Sequence, residues 1–382
     1  MLDGALMSSI KYELYVESIF KPIIDKAMLG SSSSLLRTCD LSKEVIREQN
    51  KLIKSFVISE SGPIEIHNSN FIVRFKSNGD VYLCVSVDNI PDIDKKFMIE
   101  ALIADELEIV PFEIGFFMSF CYLLSHIFTI KTGIDENGLN EALGLGVREV
   151  EKEYTGHTFD ELIQLYKEVV VFKIPADSIY NDKSDWYVVA KFAACYAGFR
   201  SSAISSDIVD VAKKLLDVDH LNPENLYLSL TSSHWKHSFL EIYRCLEAIY
   251  YLPWMLELKR ECQSPHNAFK LAAICNKTVL WHEKERDSIM ALFALLPHTE
   301  ISHINLRVAK ALTGVSTPID PKSMKLLGDR IYNIRNQCVH QEDYEVIVKL
   351  NITSNCWPVL TLLLYSVAYY FYYTYKSDII NS

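Results

Sequence analysis

Apolar positions recur at steps of three and four through most of this chain, the spacing that lines one face of a helix. Ile10 to Met28 and Leu41 to Ile58 carry it first, separated by a loop from Gly30 to Ser34. The period then changes to two. Asn70 to Lys76 and Val81 to Val87 are rich in β-branched and aromatic residues, and Ser77-Asn78-Gly79-Asp80 between them predicts a hairpin turn. Helical spacing returns from Lys95 to Val218, including Phe159 to Val171 and Trp186 to Phe199. Around Asp219 to Ser233 it loosens into Pro, Asn and Ser, which marks a boundary. The expectation is a mainly α protein: residues 1–220 form a mostly helical domain containing a β-hairpin, and residues 221–382 form a helical bundle.

In the second domain Trp235, Phe239, Ile242, Leu246, Ile249 and Pro253 form one stripe, which Pro253 ends or kinks. Further helices are expected from Phe269 to Trp281, Lys284 to Leu296 and Ile304 to Leu312. Asp320 followed by Pro321 is a helix start, because Asp caps free backbone N–H groups and Pro needs none there. Met324, Leu327, Ile331, Ile334 and Cys338 continue that helix with one buried stripe. A last helix, Pro358 to Lys376, is apolar almost all round and must be covered on several sides.

Charge divides the chain unevenly. The net charge is −11, but residues 1–220 carry −12 and residues 221–382 carry +1. An acidic region repels a nucleic-acid backbone, so positive groups for any RNA chemistry are expected from the second domain, and the first suits an inhibitor or trigger protein. Nine cysteines are scattered with no CxxC pair, and the start lacks the order of a signal peptide, so reduced thiols in the cytoplasm are expected. Pro111 to Ile130 and Trp357 to Tyr375 approach the length of a bilayer span. Glu113 and His126 in the first, and the tyrosines of the second, favour buried helices and no membrane. His234 and His237 have no third ligand at a fixed spacing, so no metal site is expected.

The sharpest chemical signal is Arg335-Asn336-Gln337-Cys338-Val339-His340 near the end of the capped helix. Arginine holds phosphate oxygens with a planar fork, an amide donates or orients, and imidazole exchanges protons near neutrality. With the upstream segment Phe239-Leu240-Glu241-Ile242-Tyr243-Arg244-Cys245-Leu246-Glu247 and the greasy helix that follows, residues 230–378 resemble the HEPN superfamily. In that family an Arg and a His at this separation, often with Asn after the Arg, mark metal-independent endoribonucleases of toxin–antitoxin, abortive-infection and CRISPR-associated systems.

The resemblance implies a toxin or antiviral effector that cleaves RNA by attack of the 2′-hydroxyl, with Arg335, Asn336 and His340 as catalytic residues and no metal or cofactor. Arg244, Glu247 and Arg330 are candidates for supporting or RNA-contacting positions. Residues five apart on a helix lie about 140° apart, so Arg335 and His340 diverge while Asn336 and His340 share a face. The family's pairing of two such helices across a two-fold axis would resolve this, which implies a homodimer with one composite site. Tyr365, Tyr369, Tyr372 and Tyr373 are either dimer surface or intrachain core. Some family members carry a modifiable tyrosine two residues after the His. Here Glu342 and Asp343 follow and the tyrosine is Tyr344, so silencing by that modification is not expected. The alternatives are a non-catalytic protein- or nucleotide-binding module and, last, a membrane-acting protein.

Overall fold

The elements follow from local chemistry, and their apolar faces decide how they pack. The computed structural model describes residues 12–27, 36–39, 41–66, 69–144, 155–218, 220–279, 284–313, 317–340 and 354–380. Helices dominate, with one small antiparallel sheet, so the chain is mainly α. It divides into two compact units, residues 1–185 and 186–382.

The first unit contains α1 (Tyr12–Ala27), α2 (Lys43–Ser55), β1 (Val57–Ile58), β2 (Ile64–Ile66), β3 (Asn70–Ser77), β4 (Asp80–Ser86), α3 (Asp92–Ala104), β5 (Glu108–Val110), α4 (Ile114–Leu123), α5 (Glu136–Leu143), α6 (Phe159–Ile163) and β6 (Val169–Ile174). The hairpin forms where the alternation places it. Ser77 lies opposite Asp80, and Asn78 and Gly79 adopt φ of 52° and 89°, the two positive values that a two-residue hairpin turn requires. The strand order is β1-β3-β4-β6-β5, with β2 also on β3.

β6 corrects the sequence reading of Phe159 to Val171 as one helix. The helix stops at Ile163, and Val169–Ile174 pairs antiparallel with β4. Val169, Val170 and Val171 are β-branched, and a run that is apolar at successive positions carries no period to separate a buried strand from a helix. The long-range pairing decides it.

Phe75 of β3 anchors the core of this unit. Its ring lies 4.6 Å from Phe56, 5.1 Å from Tyr82 and Phe116 and 5.6 Å from Phe120. The apolar segment after Pro111 supplies α4, whose residues from Gly115 to Cys121 are buried. Among the described residues no helix is long and apolar enough to cross a membrane.

The second unit is helical: α7 (Asp185–Cys195), which begins at the boundary, then α8 (Ser206–Leu216), α9 (Pro223–Thr231), α10 (Trp235–Glu247), α11 (Leu252–Glu261), α12 (Ala268–Val279), α13 (Glu285–Leu295), α14 (Asn305–Thr313), α15 (Met324–His340), α16 (Trp357–Thr374) and α17 (Lys376–Ile379). The division lies upstream of the 220/221 boundary read from the sequence, because the Pro- and Asn-bearing segment there is a helix start. The Asn222 side chain accepts from the Glu224 N–H at 3.0 Å, Pro223 begins α9, and Leu226, Tyr227 and Leu230 are buried.

α16 fills the centre. Tyr365 is fully buried and donates to Ser229 Oγ at 3.0 Å, and buried Tyr372 donates to the Cys245 carbonyl at 3.0 Å. These two tyrosines are therefore intrachain core. Tyr369 is half-buried and stacks on exposed Tyr373 at 5.5 Å.

α15 packs directly on α13. A Cβ at Gly328 would stand 2.9 Å from the Ile289 carbonyl oxygen and 3.0 Å from Met290 Cα, both backbone atoms that cannot swing aside. Gly328→Ala is expected to destabilise the protein by about 1–3 kcal/mol, the usual cost of overpacking. Chemical denaturation checks this, and an unchanged midpoint would show that the two helices separate freely.

Candidate functional site

Asp320 accepts from the Lys322 N–H at 2.8 Å, and a 3₁₀ turn from Pro321 to Ser323 leads into α15. The predicted stripe is the inner face: Met324, Leu327, Ile331 and Ile334 are buried and Cys338 is half-buried. This register leaves Arg335 and Asn336 flanking the stripe in the penultimate turn. His340 is the last residue of α15, and its side chain lies outside the described part of the structure, as do Glu342, Asp343 and Tyr344.

Arg335 turns onto neighbouring helices. Its Nη2 donates to Glu247 Oε1 of α10 at 2.7 Å, and its Nη1 donates to Asn336 Oδ1 at 3.0 Å and lies 3.5 Å from Glu285 Oε2 of α13. The guanidinium carbon also sits over the Tyr243 ring, 5.8 Å from its centre. Tyr243 and Glu247 are four apart, so one face of α10 supplies both. The side chains of Arg335, Glu247 and Glu285 are 17%, 28% and 53% exposed, so the first pair is sheltered and Glu285 is at the rim.

Burial works to lower the Arg335 pKa, but Glu247 and then Glu285 outweigh it and hold the value above that of an ordinary arginine. Burial pushes the Tyr243 hydroxyl up, and that hydroxyl accepts from Tyr250. Burial also pushes the Cys338 thiol up to about 11 against an opposing pull from Lys236, which puts a second cation within electrostatic reach of the last turns of α15.

Of the residues singled out by sequence, the structure joins Arg335, Asn336 and Glu247. Arg244 is exposed and bonds both carboxylate oxygens of Glu241 at 2.8 Å, on its own helix. Arg330 donates to the Leu312 carbonyl at 3.2 Å, where it serves the C-terminal end of α14. Glu285 and Tyr243 belong to the cluster and were not anticipated. Tyr243 had a signal, since it precedes Glu247 by one turn; Glu285 had none, because only the packing of α13 on α15 brings it close.

The arrangement can accept an anion. Glu247 holds one edge of the guanidinium, whereas Glu285 is longer and more exposed, so a phosphate oxygen can replace it on Nη1 without uncovering a buried charge. No protein-family model matches this chain, and neither does any curated protein or solved structure.

Proposed function

We propose that the protein is a HEPN-type endoribonuclease that cleaves RNA without a metal ion, acting as a toxin or antiviral effector. The observation that carries this reading is the Glu247–Arg335–Asn336 chain of hydrogen bonds in the last turns of α15. It links two residues of the Arg-Asn-x-x-x-His motif to the acidic position of the upstream helix, and His340 follows Asn336 by one turn.

On this reading Arg335 exchanges Glu285 for a phosphate oxygen and stabilises the charge that builds as the 2′-oxygen attacks phosphorus. The 5′-oxygen leaves with a proton, so the products are a 2′,3′-cyclic phosphate and a 5′-hydroxyl end. One His340 acts as base toward the 2′-hydroxyl, and a second acts as acid toward the leaving oxygen. Two copies of α15 related by a two-fold axis supply both, since Arg335 and His340 of one helix diverge by about 140°. With Tyr365 and Tyr372 in the core, the dimer face falls to the exposed side of α15, where Val339 is exposed.

Purified protein in EDTA should cut single-stranded RNA and leave the same sequence in DNA intact, because DNA lacks the nucleophile. Cleavage of both, or a 5′-phosphate product, would exclude this mechanism. Glu285→Gln should strengthen RNA binding about threefold by removing the competing carboxylate, roughly the contribution of one rim ion pair. Titration with a non-cleavable 2′-deoxy strand measures this, and weaker binding would mean that Glu285 helps to form the site.

The second reading is a binding module that does not cut. The pairing of Arg335 with two carboxylates favours it, since such a network also serves as a fixed structural contact. Absence of cleavage with anion binding at Arg335 retained would select it.

A further inference from the structure

Residues 1–185 hold 18 Lys and Arg against 30 Asp and Glu, yet four of those cations fall on one helix. Lys43, Arg47, Lys51 and Lys54 of α2 advance by four, four and three, which keeps them within an arc of about 80°. Buried Gln49 and Ile53 lie on nearly the opposite side. All four cations are exposed, and among the described residues none forms an ion pair. With Ile46 and Asn50 they line a shallow depression of about 320 Å³.

The helix beneath them is anchored at its start and along its inner face. Ser42 Oγ caps the helix by accepting from the Val45 N–H at 3.3 Å, and Gln49 Oε1 accepts from the Gly115 N–H of α4 at 2.6 Å. The inner face is thus committed to the core and the outer face carries a fixed row of charge.

We propose that this outer face of α2 binds the phosphate backbone of single-stranded RNA. At a rise of 1.5 Å per residue the cations stand about 6, 6 and 4.5 Å apart along the axis, rungs that a strand can match phosphate by phosphate. The acidity of the unit opposes a polyanion at distance, but salt screens that field beyond about 8–10 Å and the unpaired cations dominate at contact. Glu44 and Glu48 border the row on one side, about 20° and 60° beyond its edge at Lys51, and leave the Lys43, Lys54 and Arg47 side clear. A narrow, flexible strand can follow the row and avoid them, whereas a broad acidic protein surface would meet both. The inference rests on the ribonuclease reading only for the choice of RNA.

The test uses the full chain carrying His340→Ala, so that RNA stays intact, and a fluorescein-labelled 20-nucleotide single strand. Anisotropy is followed across a salt series. Each cation that neutralises a phosphate adds about 0.7 to the slope of log affinity against log salt. Lys51→Gln with Lys54→Gln should therefore lower the slope by about 1.4 and weaken binding about tenfold at 0.15 M salt. Glu44→Gln with Glu48→Gln should strengthen it. Both pairs are exposed, and circular dichroism confirms that the fold is retained. RNA binding that is absent, or unchanged in the lysine variants, overturns the proposal. A labelled oligoglutamate that binds through these lysines while RNA does not would assign the face to an acidic protein instead. The two readings separate cleanly: RNA cut equally well by the lysine variant, with unaltered binding, removes the α2 site and leaves the nuclease. RNA bound through α2 but never cut by wild-type protein does the reverse.

Discussion

His340→Ala is expected to lower cleavage of single-stranded RNA by about 10²–10⁴-fold, the contribution of a positioned proton-transfer group. Its fold should be retained, because His340 is the last residue of α15 and the stripe that packs the helix ends before it. Arg335→Ala should abolish cleavage too, but it also strands Glu247, so Arg335→Lys is the sharper probe. Lysine keeps the charge and loses the fork that holds Glu247 and that the proposed mechanism places on phosphate. A large rate loss with unchanged stability in the lysine variant would place Arg335 on the phosphate. Wild-type rates in His340→Ala would remove the imidazole from the reaction and the HEPN-type mechanism with it. If the site takes one His340 from each copy, excess His340→Ala protein mixed with wild type should suppress its cleavage through heterodimers that lack one of the two imidazoles.

Glu247→Ala is the second large effect. It leaves Arg335, largely sheltered, with the neutral Asn336 Oδ1 and, for a carboxylate, only the longer contact to Glu285. An unpaired, partly buried charge costs about 1–3 kcal/mol, or about 2–4 °C of melting temperature for each kcal/mol in a unit of this size. Glu247→Gln keeps an acceptor and should lose less. Cleavage should fall in both, since Glu247 fixes the edge of the guanidinium that phosphate does not use. The pH behaviour has a definite sign. Burial opposes the charge on Arg335, but the carboxylates raise its pKa above the unfolded value. Its stabilisation is therefore complete below the ordinary arginine pKa and is lost only as the pH climbs through the still higher folded value. Stability differences between wild type and Arg335→Met should be flat between about pH 6 and 9, and a slope there would show that another group carries the interaction.

Much of the fold was legible because its signals are local. Asp320-Pro321 announced the start of α15, and Asn78-Gly79 announced the hairpin, since each depends on which backbone angles those residues adopt. The spacing of Met324, Leu327, Ile331 and Ile334 identified the buried face from helical geometry. The 220/221 boundary differs from the observed division because Asn and Pro punctuate helix starts as well as linkers, and Phe159 to Val171 is not one helix because the apolar run from Val169 has no period to tell strand from helix.

The motif residues, the backbone angles and the apolar faces were determined by the sequence itself, since each is a property of neighbours within a turn or two. Only the tertiary structure decided that Arg335 reaches Glu247, 88 residues away, and that Arg244 and Arg330 are engaged elsewhere. It likewise decided that Tyr365 and Tyr372 are core. A long charged side chain can reach several partners, and which one it meets is settled by how α10 and α13 pack against α15.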